Sequence, residues 1–266
     1  MARLRFKDAL ALGLLHGPAE LLPISSSGHM TLIPWLLDWE YEALDPDLRK
    51  AFEVALHAGT AAALLITLRE EVIDVAKTAS PRLAMLIGLS FAPPAVIGYL
   101  LEKPIEQRFG RPGSIGVALI VGGGAMAIAD RTPQTRTSED AGALDSLLLG
   151  VAQACALIPG ISRNGATLSA ARWRGFTRPE AEKLSRHVAL PVIGAASGLK
   201  LARLAQRGLP EGAAVPFATG AIASFVSTLG STWLIRQVER DRSLLPYSLY
   251  RGALGTVVLS RLARRR

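Results

Sequence analysis

Half of the 266 residues are hydrophobic, mean hydropathy is +0.30 and the formal charge is +8, a combination that fits either a nucleic-acid binder or a membrane protein. The basic residues decide between them: they lie in short loops and at the C-terminus (Arg261, Arg264–Arg266), separated by uncharged runs of membrane length, which suits lipid headgroups and excludes a nucleic-acid partner. Cys155 is the sole cysteine, so an intrachain disulfide and a cysteine-based metal cluster are excluded; it sits in an apolar run and reads as a small core residue.

Arg3, Arg5 and Lys7 precede a short apolar stretch, as in a signal peptide, but no small-residue cleavage pattern follows, so the segment is read as retained. Between Asp8 and Asp38, Glu20 is the sole Asp, Glu, Lys or Arg, with His16 and His29 nearby. The run is interrupted at Gly17–Pro18 and again at PISSSGH (Pro23 to His29). Irregular backbone at membrane depth survives only where protein or a water-filled cavity satisfies its hydrogen bonds, so the pattern predicts two short helices meeting at a polar turn, a re-entrant hairpin. A charged loop (38–50) leads to a span at 54–68 and then to a mixed-charge interfacial helix. Spans follow at 83–101 and at 112–129, the latter with Gly122–Gly124, which would let helices approach closely.

After a polar loop at 130–145, the stretch 146–171 repeats the first region: apolar, broken at IPGISRNGAT (158–167), then apolar again. Its one charge is Arg163, which costs on the order of 2.5–3.5 kcal/mol at a bilayer centre and so asks for an anionic partner. Thr177-Arg-Pro-Glu180 reads as a helix start, with Pro179 in the first turn. Spans are expected at 187–199, 212–235 and 247–259, the last with Arg251 near its start.

LLPISSSG (21–28) and LIPGISRNG (157–165) lie half the chain apart and share two aliphatics, a proline and a Ser/Gly turn. Paired interrupted segments in corresponding positions of two halves predict an inverted repeat, here roughly 1–131 and 132–266, within one membrane domain. In such a fold the two turns should face each other. Pooled, they offer Glu20, Ser25, Ser26, Ser27, His29, Gly160, Ser162, Arg163, Asn164 and Thr167, together with backbone N–H groups at helix starts. Helix N-termini and an arginine fork bind phosphate, and a serine near a histidine can be an activated nucleophile. His57 and His187 read as packing residues. No GxxxxGK[ST], HExxH or CxxC motif is present. A lipid phosphatase of the phosphatidic acid phosphatase type 2 kind is also excluded, because Ser169 stands where that family needs a histidine.

At HGPAE (16–20), PISSSGH (23–29) and PGISRNGAT (159–167) the chain resembles the undecaprenyl-diphosphate phosphatase family, the bacitracin-resistance phosphatases of bacterial membranes. FEVALHAGTAAALL (52–65), GGGAMAIADR (122–131), SLLLGVAQACALIPG (146–160) and RGFTRPEAEKLSRHVALPVI (174–193) extend the likeness over nearly the whole chain. The resemblance implies an all-α integral membrane fold with two re-entrant hairpins and six spanning helices in the plasma membrane. The site would open to the extracytoplasmic side and hydrolyse undecaprenyl diphosphate, recycling the lipid carrier of peptidoglycan synthesis. It implies Ser26 as nucleophile, His29 as its base or acid, Glu20 as an acid acting on water or on a divalent cation (Mg²⁺ or Ca²⁺), and Arg163 as the diphosphate clamp, supported by Ser162 and Thr167. Membrane lipids would surround it; a homo-oligomer is left open. Two positions depart from the family pattern. His16 replaces the first acid or glutamine of ExxxE and can supply a nitrogen but no second negative charge; Asn164 replaces a serine. The same fold and the same Arg163 would also serve a polyprenyl-phosphate transporter that does not hydrolyse.

Overall fold

A computed structural model of the chain describes residues 3–77, 80–209, 212–235 and 242–265. Helices dominate: α1 (Phe6–Leu21), α2 (Ser26–Leu36), α3 (Pro46–Thr67), α4 (Arg69–Lys77), α5 (Pro81–Phe109), α6 (Pro112–Ala129), α7 (Ala143–Cys155), α8 (Arg163–Trp173), α9 (Arg178–Arg207), α10 (Ala214–Gly230) and α11 (Leu245–Arg264). No β-strand forms among the described residues, where a lone parallel bridge joins Arg136 and Phe176.

The starts follow ordinary capping chemistry. Asp45 precedes Pro46 and accepts from the N–H groups of Asp47 and Leu48, and Ser80 precedes Pro81 and accepts from Leu83 N–H. Two expectations are corrected. Gly17–Pro18 does not interrupt the first helix, which runs on to Leu21, so His16 and Glu20 stand one turn apart on one helix face. The uncharged run 212–235 is not one helix: α10 stops at Gly230, and Ser231 closes it by donating its N–H to Thr228 O.

The chain divides into two compact units, interleaved in sequence. One comprises residues up to Leu21, His29–Thr78 and Ile193–Leu234. Its core joins Leu12, Met30, Phe52, Leu56 and Phe217, with Phe52 and Phe217 edge to face at 5.5 Å. In it α1 lies so close on α10 that a Cβ on Gly13 would fall 2.6 Å from Gly220 O.

The second unit comprises Leu22–Gly28, Ala79–Val192 and Ile235–Arg266. Here α7 packs on α5, where a Cβ on Gly150 would meet Leu89 O at 2.9 Å, and α6 crosses α11 with Gly116 and Gly255 facing each other's carbonyls. Its polar loop is a buried ion-pair platform. Asp130 accepts from Arg178 (2.7 Å), from Ser243 Oγ (2.8 Å) and from Leu244 N–H (2.9 Å). Asp145 accepts from both Arg136 amino groups (3.0 and 2.8 Å) and from Arg174 (2.7 Å). Arg172, almost wholly buried, donates to the carbonyls of Asp130, Thr132 and Phe176. Burial pushes both carboxyls up, but the arginine and backbone donors outweigh it, so Asp130 lies below its ordinary range and Asp145 is held down at about 2.

Helices α5 and α6 are long and apolar enough to cross a membrane, with mean hydropathies of 1.8 and 1.7 over their most apolar stretches. In α5 only 11% of that stretch is buried, and Val96, Tyr99 and Leu100 point outward. Apolar side chains on an outer face suit hydrocarbon better than water. Cys155, expected in the core, is exposed. Helix α7 buries the face bearing Leu149, Gly150, Gln153 and Ala154, which leaves residue 155 outside.

Candidate active site

Within the second unit the two serine-glycine turns meet. Helix α1 ends at Leu21, and after a short turn Ser25 adopts φ +78°, a left-handed conformation costly for a residue with a Cβ. That twist lets its hydroxyl accept from Gly28 N–H (3.3 Å) and start α2. In the other turn Gly160 takes φ +97°, and Ser162 accepts from Gly165 N–H (3.1 Å) to start α8. A Cβ on Gly28 would lie 3.5 Å from Gly160 Cα, and one on Gly165 would lie 3.3 Å from Pro23 O. The starts of α2 and α8 therefore lie side by side, each with its positive dipole end.

A residue that sequence reading passed over holds them there. Arg251 of α11 is 1% exposed and donates to Pro23 O from Nη1 (3.4 Å) and to Gly160 O from Nη2 (3.2 Å), one carbonyl in each turn. It makes no ion pair with an Asp or Glu among the described residues, and its Nε is buried without a hydrogen-bond partner there. Gly122 and Gly165 make its room: a Cβ on either would fall 2.1 or 2.6 Å from its amino groups. The signal was available, since Arg251 is the one charge between Arg242 and Arg261, as isolated as Arg163. Arg163 itself is half-buried at the first position of α8, not sealed in the core.

Behind the second turn a small network fixes its shape. Ser185 Oγ donates to Asn164 Oδ1 (3.0 Å), and Thr167 Oγ1 lies 2.6 Å from Ser185 Oγ and 2.9 Å from Arg163 O. Thr167 is fully buried and Asn164 nearly so. Ser26 and Ser27, by contrast, are half-buried in the first turn of α2, with Ser27 Oγ 3.5 Å from Ser25 Oγ.

The other candidates, His16, Glu20 and His29, belong to the first unit. His29 is 1% exposed. His16, Glu20 and His57 form a cluster in which one ligand atom from each lies within 4.8 Å of the others. His57 Nδ1 is 4.0 Å from Glu20 Oε2, and the two imidazoles meet edge to face at 4.5 Å. Reading His57 as a packing residue missed this partnership, because the three residues come from two helices and nothing in sequence places 57 beside 16.

Proton counting fixes the His16 tautomer. Ser224 Oγ donates its one proton to Leu56 O (2.8 Å), so across the 2.7 Å contact it is Thr60 that donates to Ser224. Thr60 Oγ1 must then accept from His16 Nδ1 (2.8 Å). His16 therefore donates its Nδ1 proton to Thr60, and its Nε2 is buried without a hydrogen-bond partner among the described residues.

Comparison with known proteins adds an independent finding. The family described as "Bacitracin resistance protein BacA" matches residues 9–257. An undecaprenyl-diphosphatase of Geobacter sulfurreducens is 40% identical over 271 residues, covering 97% of this chain and 98% of that protein. Proteins of the same name from Pelobacter propionicus and Geobacter metallireducens are 36% and 35% identical, with 95% and 94% of this chain and 95% and 96% of theirs covered.

Proposed function

The chain belongs to the bacitracin resistance protein BacA family, and we infer on that footing that this integral membrane protein hydrolyses undecaprenyl diphosphate to undecaprenyl phosphate and inorganic phosphate. The observation that carries the reading is the contact between the turns at 22–28 and 159–167 under Arg251, which gives two helix N-termini and the Arg163 guanidinium to one anion.

In the reaction the terminal phosphorus gains a bond to the attacking oxygen, and its bond to the bridging oxygen breaks. That oxygen leaves with undecaprenyl phosphate. Arg163, accessible at the first position of α8, is the fork that pairs with the diphosphate oxygens as charge shifts onto the leaving group. Arg251 is a positioning residue that sets the gap between the turns. Ser25 and Ser162 cap their helices, and Asn164 and Thr167 brace the first turn of α8 around Arg163. Ser26 and Ser27 carry hydroxyls in the first turn of α2. Ser26 is assigned as nucleophile; His29, three residues on along the same helix, takes its Oγ proton, and water then releases the phosphoserine as inorganic phosphate.

The resemblance also implied Mg²⁺ or Ca²⁺. Hard cations take oxygen ligands, and around Glu20 the described residues supply one carboxylate and two imidazoles. The donor set does not fit them, and no step is drawn through such an ion.

The finer architecture follows the same reading: two re-entrant pairs, α1–α2 and α7–α8, and six spans, α3, α5, α6, α9, α10 and α11, in two inverted repeats. Support comes from residues 137 positions apart that do equivalent work. Ser25 and Ser162 cap their helices through Gly28 and Gly165; Gly13 and Gly150 mark the close packing of α1 on α10 and of α7 on α5; Asp8 and Asp145 are buried in first turns, each bound to arginine. The protein is placed in the bacterial plasma membrane with its site towards the extracytoplasmic side.

Purified protein given undecaprenyl diphosphate should release phosphate, and Arg163→Ala should lose at least a hundredfold in rate while still inserting. Ser26→Ala should match it. A substantial residual rate in Ser26→Ala would transfer the attack to water, and no release at all, with polyprenyl phosphate crossing vesicle membranes, would favour the transporter.

A further inference from the structure

The structure assigns a transition-metal site to His16, Glu20 and His57, selective for a borderline divalent ion of the Zn²⁺ class over Mg²⁺ and Ca²⁺. It deepens the reading of Glu20 as a cation ligand and replaces the kind of cation. Three observations carry it.

The donors come first. Two imidazole nitrogens and one carboxylate are the ligand types of zinc and its neighbours, for which imidazole affinity rises along the first-row series, whereas calcium and magnesium are held by oxygen. The family pattern has an acid or glutamine where this chain has His16, so the change of donor belongs to this sequence.

The second observation is the relay behind His16. Metal-bound histidines ordinarily donate their other N–H to a fixed acceptor, which sets the tautomer and the ring's aim. Here Leu56 O, Ser224, Thr60 and His16 Nδ1 form that support through contacts of 2.8, 2.7 and 2.8 Å, all within one unit. The relay commits Nδ1 and leaves Nε2 buried with no hydrogen-bond partner among the described residues.

The third is spacing. Ligand atoms about 2.0–2.2 Å from a tetrahedral zinc sit about 3.3 Å apart. The cluster's atoms lie within 4.8 Å, with His57 and Glu20 at 4.0 Å. His16 is held by Thr60, while the Glu20 and His57 side chains are 13% and 37% exposed, so closing the cluster by about an ångström falls to the two side chains nearer the surface. Three protein ligands leave a fourth position open, the arrangement of catalytic rather than structural zinc.

The test measures binding apart from phosphate release, so its failure and failure of the phosphatase reading are distinguishable. Full-length protein in detergent micelles is stripped with a chelator and titrated with Co²⁺. One ion per chain should bind with the visible ligand-field absorption of a tetrahedral site, and Zn²⁺, but not a large excess of Mg²⁺ or Ca²⁺, should bleach it. His57→Phe should lower Co²⁺ affinity at least tenfold, and Thr60→Val should do so by ten- to a hundredfold through the freed His16 ring. His16→Glu should restore an oxygen-rich pair and shift preference towards Mg²⁺. Absence of stoichiometric Co²⁺ binding in the unsubstituted protein would overturn the proposal, as would equal affinity in the His57→Phe protein with an unchanged melting temperature.

Discussion

Arg163 and Arg251 divide between them the work that isolation in sequence assigned to one arginine. Arg163 is half-buried at the first position of α8, while Arg251 is sealed and spends its hydrogen bonds on one carbonyl of each turn. A buried guanidinium without a carboxylate is costly unless neighbouring oxygens compensate it, and here the compensating oxygens are those whose separation sets the site. This makes a sharp comparison of two neighbouring glycines in α6. A Cβ on Gly122 would fall 2.1 Å from Arg251 Nη2, whereas one on Gly124 meets nothing within 4 Å. Alanine in a helix is favoured over glycine by about 1 kcal/mol, so Gly124→Ala should leave turnover unchanged and raise the melting temperature slightly. Gly122→Ala should displace Arg251 and lower phosphate release at least tenfold. Equal behaviour of the two would remove Arg251 from the positioning of the turns. Sequence isolates both arginines equally; it cannot say which faces the ligand, because that depends on the side of α8 and α11 that neighbours cover.

At the scale of elements, helices were legible where capping or punctuation is local. Ser80-Pro81, Asp45-Pro46 and the RPE start of α9 each put proline in a first turn, where its missing N–H costs nothing. Gly17–Pro18 misled because proline's lost bond is tolerable when packing of α1 against α10 outweighs it, and packing is not local. The ion-pair platform between α6 and α9 was likewise read as a polar loop. It has a measurable signature. Asp145, held down at about 2 by Arg136 and Arg174, has a folded value below its unfolded one near 3.9. Its stabilising contribution, about 2.6 kcal/mol at 1.36 kcal/mol per unit, is complete above the unfolded value and disappears as pH falls from about 4 towards 2. The melting temperature should fall across that window, and Asp145→Asn should be less stable at neutral pH yet flatter below pH 4. Parallel melting curves for the two proteins would show that the carboxylate is not paired.

For the whole molecule, the outward faces of the apolar helices make the strongest claim about environment. Val96 on α5 is 56% exposed in a helix whose most apolar stretch is 11% buried. An acid there would cost about 2.5–3.5 kcal/mol at mid-bilayer depth, so Val96→Asp should reduce the membrane-inserted fraction. Val54→Asp, in the core of the first unit, should cripple folding in detergent as well. If Val96→Asp inserts at the normal level, that face of α5 is not bathed in lipid.

The sequence by itself determined the class of the protein, the two broken regions and the ligand chemistry they suit, because hydrophobic run length and helix punctuation act within a few residues of themselves. Only the tertiary structure decided that the turns touch, that Arg251 spaces them, that Thr167 and Asn164 brace rather than reach outward, and that His57 joins His16 and Glu20. Each of these joins positions tens to hundreds of residues apart on different helices, and which faces of those helices meet is fixed by close packing at Gly13, Gly116, Gly150 and Gly255, a matter of shape that no local pattern encodes.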